Sequence, residues 1–202
     1  DDMEWLKDPP DHTVKGPHLS VAIAVDLSGS MIGIPIEKAQ KAAMSFVKNM
    51  DLSNSSIGLL LFADRCVTSQ ELSQDTRALK KSIDSWTDAM GYESGVGGGN
   101  SAHPFDAALE ILEDAEHSRF LIVLTDGLWY CAPEALDAAK RCREEGIEIV
   151  ALGFGKADEE FLRQIATSDA NAIFTNLDQL VSSFTTIAQV LTESNYGLLG
   201  SA

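Results

Sequence analysis

The sequence has few basic residues for its acidic content. Its 202 residues include 15 Lys and Arg against 31 Asp and Glu, which gives a formal net charge of −16. Nucleic-acid backbones and anionic membranes repel such a chain, so we expect neither as a partner. A net negative charge also keeps a domain soluble, and solubility alone is a sufficient explanation for it.

Cysteine is scarce, and its positions exclude common metal and redox motifs. Cys66, Cys131 and Cys142 form no CxxC pair. None of the four histidines stands at metal-ligand spacing from a cysteine, so we do not expect a structural zinc site. Three thiols without paired spacing are typical of a reducing compartment, and we expect a cytoplasmic protein.

Long apolar runs and targeting signals are lacking as well. No run is long enough to cross a bilayer, and the first residues do not resemble a signal peptide. The sequence begins with Asp1 rather than methionine. We therefore leave open that it is a fragment of a longer protein.

Strand and helix patterns alternate through most of the chain. Runs that are apolar on both faces, at 21–25 and 119–125, predict central strands of a parallel sheet. Apolar residues at helical spacing follow, as in 35–50. A turn at 63–65 predicts one antiparallel edge strand. With right-handed crossovers, this order predicts a three-layer α/β/α sandwich around a doubly wound, mostly parallel, six-stranded sheet.

The pattern divides the chain into three parts. Residues 1–18 carry prolines and charges and predict an irregular N-terminal arm. Residues 19–192 form the α/β domain, and its last helix is predicted over 177–192. Residues 193–202 are small and polar, and we expect a flexible C-terminal tail.

Two of the predicted buried strands end on an aspartate. The first runs into Asp26, with Ser28 and Ser30 following at alternate positions, and the fourth ends on Asp126. In a doubly wound sheet these strands are neighbours at the switch point, where their carboxyl ends share a crevice. Carboxylate and hydroxyl oxygens suit Mg²⁺. We expect a divalent-metal site here, completed by one oxygen from the glycine-rich loop at 87–102.

These segments resemble those of a known family. VDLSGS at 25–30 is similar to the DxSxS signature of the von Willebrand factor A (VWA) domain, and LTDG at 124–127 is similar to its second metal-site segment. The resemblance covers about residues 19–192. SGSM followed by GIPIEKAQKA, at 28–42, resembles intracellular bacterial members of the family, including those associated with tellurite resistance.

The resemblance implies a metal ion-dependent adhesion site (MIDAS). In the family this site holds Mg²⁺, and we keep Mn²⁺ and Ca²⁺ as alternatives. The implied ligands are Asp26, Ser28, Ser30 and Asp126, with the aspartates acting largely through water. An acidic residue of a partner protein often completes the coordination, so we expect a partner that offers an Asp or a Glu.

The glycine-rich loop departs from the family pattern. The family usually places a threonine after paired glycines, whereas this loop reads Gly97-Gly98-Gly99-Asn100-Ser101. Ser101 keeps a hydroxyl and is the ligand we assign, while Asn100 offers an amide oxygen. A third alternative is that neither residue reaches the metal.

The favoured function is a metal-dependent protein-binding module with no chemistry of its own. One alternative is a Mg²⁺-dependent hydrolase or phosphotransferase that uses the same crevice. It requires a base, and His103 is the one candidate, although a histidine before Pro104 also suits a helix cap. The chain has no GxSxG motif, and its glycine loop has no GxGxxG or GxxxxGK[ST] pattern. A structural domain with a vestigial site is a further alternative.

Trp129 follows the second metal-site segment directly and admits two interpretations. It packs against a neighbouring loop, or it is an exposed aromatic anchor that contacts the partner beside the metal. The second interpretation makes Trp129 a candidate partner-binding residue.

Overall fold

A computed structural model describes residues 19–91 and 95–199, with the backbone alone for 194–199. The predicted N-terminal arm lies outside the described residues. The strands are β1 (Leu19–Asp26), β2 (Ser55–Phe62), β3 (Cys66–Ser73), β4 (Ser118–Thr125), β5 (Ile147–Gly153) and β6 (Ala172–Phe174). The helices are α1 (Ile34–Asn49), α2 (Thr76–Asp84), α3 (Phe105–Leu112), α4 (Ala132–Glu144), α5 (Glu159–Ile165) and α6 (Leu180–Leu199).

The strands form one six-stranded sheet in the order β3-β2-β1-β4-β5-β6. All neighbours are parallel except β2 and β3, which are antiparallel. This arrangement confirms the predicted mixed α/β sandwich and its antiparallel edge strand. It also confirms that the first and fourth strands are adjacent, so the crevice at the switch point lies between the carboxyl ends of β1 and β4.

The central strand β1 is buried along its whole length because helices cover both faces of the sheet. Val21, Ile23 and Val25 belong to a cluster that includes residues of α1 and α6. Ala22 and Ala24, which point the other way, belong to a second cluster that includes residues of α3, α4 and α5. The apolar run that predicted a doubly buried strand therefore reflects two separate cores.

The last helix is longer than the sequence predicts. The pattern predicts an end near Thr192 and a flexible tail over 193–202, whereas α6 continues to Leu199. The segment after Thr192 contains no proline, and extending a helix is far easier than starting one. None of the helices in the described part of the chain, α6 included, is both long enough and apolar enough to cross a membrane.

Candidate metal centre

The loop after β1 brings a carboxylate and two hydroxyls together. Asp26 is fully buried, and its Oδ1 accepts a 2.8 Å hydrogen bond from the backbone N–H of Ser28. This side-chain turn leads into a short 3₁₀ helix at Gly29–Met31. The Oγ atoms of Ser28 and Ser30 lie 3.2 Å apart, with Ser28 buried and Ser30 exposed. The two hydroxyls are therefore adjacent, one on a buried residue and one on an exposed residue.

Thr125 fixes the other oxygen of the Asp26 carboxylate. Its Oγ1 donates a 2.8 Å hydrogen bond to Asp26 Oδ2, and the indole N–H of Trp129 donates to the same Oγ1 at 2.9 Å. This role was not predicted from the sequence, although Thr125 stands within the LTDG segment. The hydrogen bonds leave the carboxylate little freedom to rotate.

The charge of Asp26 is poorly compensated by the protein. Burial raises the pKa of Asp26 above its ordinary value because the ionised carboxylate loses hydration. Hydrogen bonds from Ser28 and Thr125 act in the opposite direction, and the nearby charge of Asp126 raises the pKa further. A crevice with two close carboxylates favours a cation between or beside them.

Asp126 carries an unsatisfied oxygen. Its side chain is 8% exposed, and its Oδ1 is buried without a hydrogen-bond partner among the described residues. Its backbone carbonyl accepts a 2.9 Å hydrogen bond from the N–H of Lys156, and a Cβ at Gly155 would lie 3.3 Å from that carbonyl. The loop after β5 thus holds the residue in place. An orphaned buried carboxylate oxygen is costly unless a cation or ordered water satisfies it.

The glycine loop is held by Asp64, which follows β2 at the same edge of the sheet. The Asp64 carboxylate accepts hydrogen bonds from the N–H groups of Gly98 at 3.3 Å and Gly99 at 2.9 Å. A Cβ at Gly97, where φ is +89°, would lie 2.6 Å from this carboxylate, and one at Gly99 would overlap it. The carbonyl of Gly98 accepts a 3.0 Å hydrogen bond from Gly29 N–H. The run of glycines therefore allows the loop to close against both Asp64 and the serine loop.

Ser101 also bonds to Asp64. Its Oγ donates to Asp64 Oδ1 at 2.7 Å, and this hydrogen bond, with those from Gly99 and Gly98, lowers the pKa of Asp64. A hydroxyl that donates its hydrogen to a carboxylate keeps its lone pairs for a cation. Asn100 contributes its backbone carbonyl to Tyr130 N–H at 3.0 Å. The choice between Ser101 and Asn100 as ligand stays a prediction.

The role of Asp64 was not predicted from the sequence either. A usable signal was present, because Asp64 follows β2, the strand next to β1, and so reaches the same edge as Asp26. Its contacts depend on the path of the glycine loop, which no short motif specifies.

His103 is placed as a helix cap. Its Nδ1 accepts a 3.2 Å hydrogen bond from the N–H of Phe105, the first residue of α3, and its ring stacks on that of Phe105 at 5.6 Å. Burial lowers the pKa of His103 because the imidazolium loses hydration there. The ring is therefore engaged at the start of α3, as the capping interpretation predicts.

The structure corrects the partner-binding interpretation of Trp129. The side chain is 6% exposed, and its ring lies 5.1 Å from that of Phe62, 6.0 Å from Phe105 and 5.0 Å from Phe161. The indole is buried because its apolar surface packs in this aromatic cluster and its N–H donates a hydrogen bond to Thr125. Tyr130, the next residue, is 87% exposed.

The donor set suits a hard divalent cation. The sequence-predicted ligands lie at the adjacent carboxyl ends of β1 and β4: Asp26 is the last residue of β1, Ser28 and Ser30 follow it, and Asp126 follows β4. Within residues 19–91 and 95–199, no group of three or more His, Cys, Asp or Glu could hold a metal ion. Any ion at this edge therefore depends on serine oxygens in addition to the two carboxylates, which is a Mg²⁺-like environment.

A match to a protein-family model over most of the chain shows which family the chain belongs to. The model of the von Willebrand factor type A domain matches residues 20–190, and the chain belongs to this family. No curated protein sequence matches the chain.

Several solved structures share the fold. The vWF domain of the type V pili tip protein Mfa5 from Porphyromonas gingivalis is 14% identical over 88% of this chain and 96% of that chain, with a TM-score of 0.76. The conserved hypothetical protein BatB from Bacteroides thetaiotaomicron is 22% identical over 87% of this chain and 98% of that chain, with a TM-score of 0.71.

A third similar structure holds a metal. Proximal thread matrix protein 1 from the mussel byssus, whose MIDAS motif is occupied by zinc, is 22% identical over 87% of this chain and 46% of that chain, with a TM-score of 0.72. At such identities the similarities show the fold alone. The narrower resemblance to intracellular bacterial members stays a prediction.

Proposed function

We propose that this chain is a divalent-metal-dependent protein-binding module that captures an Asp or Glu of a partner protein. The observation that carries the proposal is the orphaned, buried Oδ1 of Asp126, whose charge is close enough to the Asp26 carboxylate to raise the pKa of Asp26. Membership of the VWA family and the zinc-occupied MIDAS of the byssus protein support it.

The chain's own residues define how such a site works. Ser28 and Ser30 would supply neutral oxygens, and with the two aspartates acting largely through water a bound Mg²⁺ would keep positive charge that attracts a carboxylate even though the protein is acidic overall. Thr125 holds Asp26 in one orientation. Asp64 holds the glycine loop against the serine loop through Gly98 and Gly99. These contacts preorganise the ligand shell before a partner arrives.

No described contact favours the hydrolase or phosphotransferase alternative. Metal-assisted hydrolysis needs a positioned base or nucleophile beside the ion. His103, the candidate base, accepts the N–H of Phe105 through Nδ1, and its Nε2 lies 3.8 Å from the carboxylate of Asp106. The vestigial-site alternative predicts a folded domain that does not bind metal.

Selection from random peptides tests the proposal directly. Phage-displayed peptides are selected on the immobilised chain in MgCl₂ and eluted with a chelator. We expect the eluted peptides to share an Asp or Glu whose change to Asn or Gln abolishes binding. Peptides that bind equally well in chelator, or that need no carboxylate, contradict the proposal.

A matched pair of serine variants links that binding to the site. Ser30→Ala removes an exposed candidate ligand, whereas Ser118→Ala removes an exposed serine at the start of β4, at the opposite edge of the sheet. We expect the first variant to lose both Mg²⁺ heat in calorimetry and peptide binding, and the second to keep both. Equal behaviour of the two variants counts against the assigned site.

A further inference from the structure

Exposed apolar side chains cluster in sequence around the two metal-site segments. Several large apolar side chains are exposed in the described part of the chain. Their exposed fractions are Ile32 70%, Ile34 64%, Val67 39%, Leu128 60%, Tyr130 87%, Phe174 39% and Val190 54%. The four most exposed of them lie two or four residues after Ser30 or Asp126 in the sequence. Because β1 and β4 are adjacent, these residues leave the sheet at the same edge. Single exposed apolar residues are ordinary, but a group at one site marks an interaction surface.

A shallow apolar groove begins at this group. It has a volume of about 390 Å³ and lies between the loop after β4 and helices α4 and α5. Leu128, Tyr130, Leu136 and Phe161 supply its apolar walls. Leu128 is two residues from Asp126, so one wall of the groove belongs to the same loop after β4 that carries this candidate ligand. A volume of this size accommodates one large apolar side chain.

The charge around the groove restricts what can enter it. Asp158 and Glu160 lie on its rim, and the whole chain carries a net charge of −16. A run of acidic residues on a partner would be repelled by this rim and by the net negative charge of the chain. A single carboxylate with apolar neighbours avoids this repulsion and covers the exposed apolar side chains.

We infer that the partner presents one Asp or Glu between large apolar side chains, one of which occupies the groove walled by Leu128 and Phe161. This inference rests on the proposed function, because the carboxylate is the group that the metal holds. The metal binds the carboxylate of any acidic partner segment that reaches it. The apolar surface beside it favours those segments whose carboxylate has large apolar neighbours. Ile32 and Ile34 cover the partner on the α1 side, whereas Leu128 and Tyr130 cover it on the α4 side.

Three synthetic peptides labelled with fluorescein provide the probes. One has a central Asp flanked by Leu and Phe, the second has the same Asp flanked by Glu, and the third replaces the Asp of the first with Asn. Fluorescence anisotropy in MnCl₂ measures their binding to the intact chain. We expect the apolar-flanked Asp peptide to bind at least about tenfold tighter than either of the others, a difference in line with loss of one interface anchor.

Surface variants test the groove separately from the metal. The double variant Leu128→Ser with Tyr130→Ser removes apolar surface at the groove, and Val190→Ser removes an exposed apolar side chain from α6. We expect the double variant to weaken binding of the apolar-flanked peptide about tenfold, with Mn²⁺ heat in calorimetry unchanged. Val190→Ser leaves both measurements unchanged.

The outcomes separate this inference from the proposed function. Absence of Mn²⁺ binding overturns both. Mn²⁺ binding with equal affinity for the apolar-flanked and Glu-flanked peptides, or with no peptide binding, overturns the inference about the partner. Concentration-dependent dimerisation that the double variant abolishes assigns the surface to a second copy of the chain and also overturns it.

Discussion

The hydroxyl of Thr125, the last residue of β4, donates a 2.8 Å hydrogen bond to the buried carboxylate of Asp26, the last residue of β1. This bond joins the two strands at the switch point of the sheet. The same hydroxyl accepts the indole N–H of Trp129, so one side chain links the candidate metal ligand to the aromatic core. The orientation of Asp26 therefore depends on packing as well as on the loop that follows it.

Thr125→Val tests this link because it replaces only the hydroxyl by a methyl group. The change leaves Asp26 Oδ2 and the Trp129 N–H without their partner, and both are buried. We expect the free energy of unfolding to fall by about 1–3 kcal/mol. We also expect Mg²⁺ affinity to fall about tenfold or more, as for other residues that orient a metal ligand. Urea unfolding and calorimetry measure the two effects.

Thr125→Ser is the matched control for this change. Serine keeps the hydroxyl and loses one methyl group, so Mg²⁺ affinity stays close to that of the original chain. If Thr125→Val binds Mg²⁺ as well as Thr125→Ser, the hydrogen bond to Asp26 does not position the carboxylate.

Gly99→Ala tests the close approach of the glycine loop to Asp64. A Cβ at Gly99 would overlap the Asp64 carboxylate, whereas one at Gly127 meets no atom within 4 Å. We expect Gly99→Ala to displace the loop and lower Mg²⁺ affinity, and Gly127→Ala to leave it nearly unchanged. Calorimetry of both variants checks this, and equal affinities mean that the loop does not contribute to the site.

A double-mutant cycle on Asp64 and Ser101 tests the role of Asp64 as a positioning residue. Asp64→Asn weakens the hold on the loop amides and on the Ser101 hydroxyl, while Ser101→Ala removes that hydroxyl. We expect each variant to lower Mg²⁺ affinity about tenfold and the double variant to lose less than the product of the two. Asp114→Asn, at an exposed aspartate after α3, is the control. If the loss of Mg²⁺ affinity in the double variant equals the product of the two single losses, the two residues act separately.

Trp129 and Tyr130 differ in their predicted contribution to stability. Trp129→Ala removes a buried indole from the aromatic cluster, and we expect a loss of about 3–5 kcal/mol in the free energy of unfolding. Tyr130→Ala alters an exposed side chain, and we expect a change within about 0.5 kcal/mol. Urea denaturation measures both. A small loss for Trp129→Ala contradicts its placement in the core.

Cys142 is predicted to be chemically inert in the folded chain. It is fully buried, and burial raises the pKa of its thiol to about 12, with the charge of Asp106 adding to the effect. At pH 8 such a thiol is ionised in only about one molecule in ten thousand. We expect iodoacetamide to label Cys142 only after unfolding in urea, whereas half-buried Cys131 reacts first. Mass spectrometry of the labelled peptides reports the order, and fast labelling of folded Cys142 contradicts it.

Most of the fold could be predicted from the sequence because local pattern and tertiary burial agree. The run from Val21 to Val25 is apolar at every position, and the structure covers both of its faces. Asp75 and Asp158 directly precede α2 and α5, a position that favours aspartate, and each accepts a backbone N–H from the first turn of its helix. The end of α6 was predicted too early because polar residues follow Thr192, whereas a helix that is already formed extends easily.

The candidate site could be predicted only in part. Asp26, Ser28, Ser30 and Asp126 follow directly from strand ends and a short motif. The contributions of Thr125 and Asp64 depend on contacts between residues far apart in sequence, and no spacing rule encodes them. The interpretation of Trp129 as a partner-binding residue was wrong. An aromatic residue after a strand suits an interface and a core equally well, and only its neighbours in the fold decide between them.

The most direct test of the central claim is anomalous diffraction from a crystal of the chain grown in MnCl₂. We predict one strong manganese peak at the carboxyl ends of β1 and β4, with Ser28 and Ser30 as direct ligands and Asp26 and Asp126 held directly or through water. We also predict that the peak lies within reach of Asp126 Oδ1. A structure with manganese elsewhere, or with no peak at this edge at saturating MnCl₂, contradicts the proposed metal site.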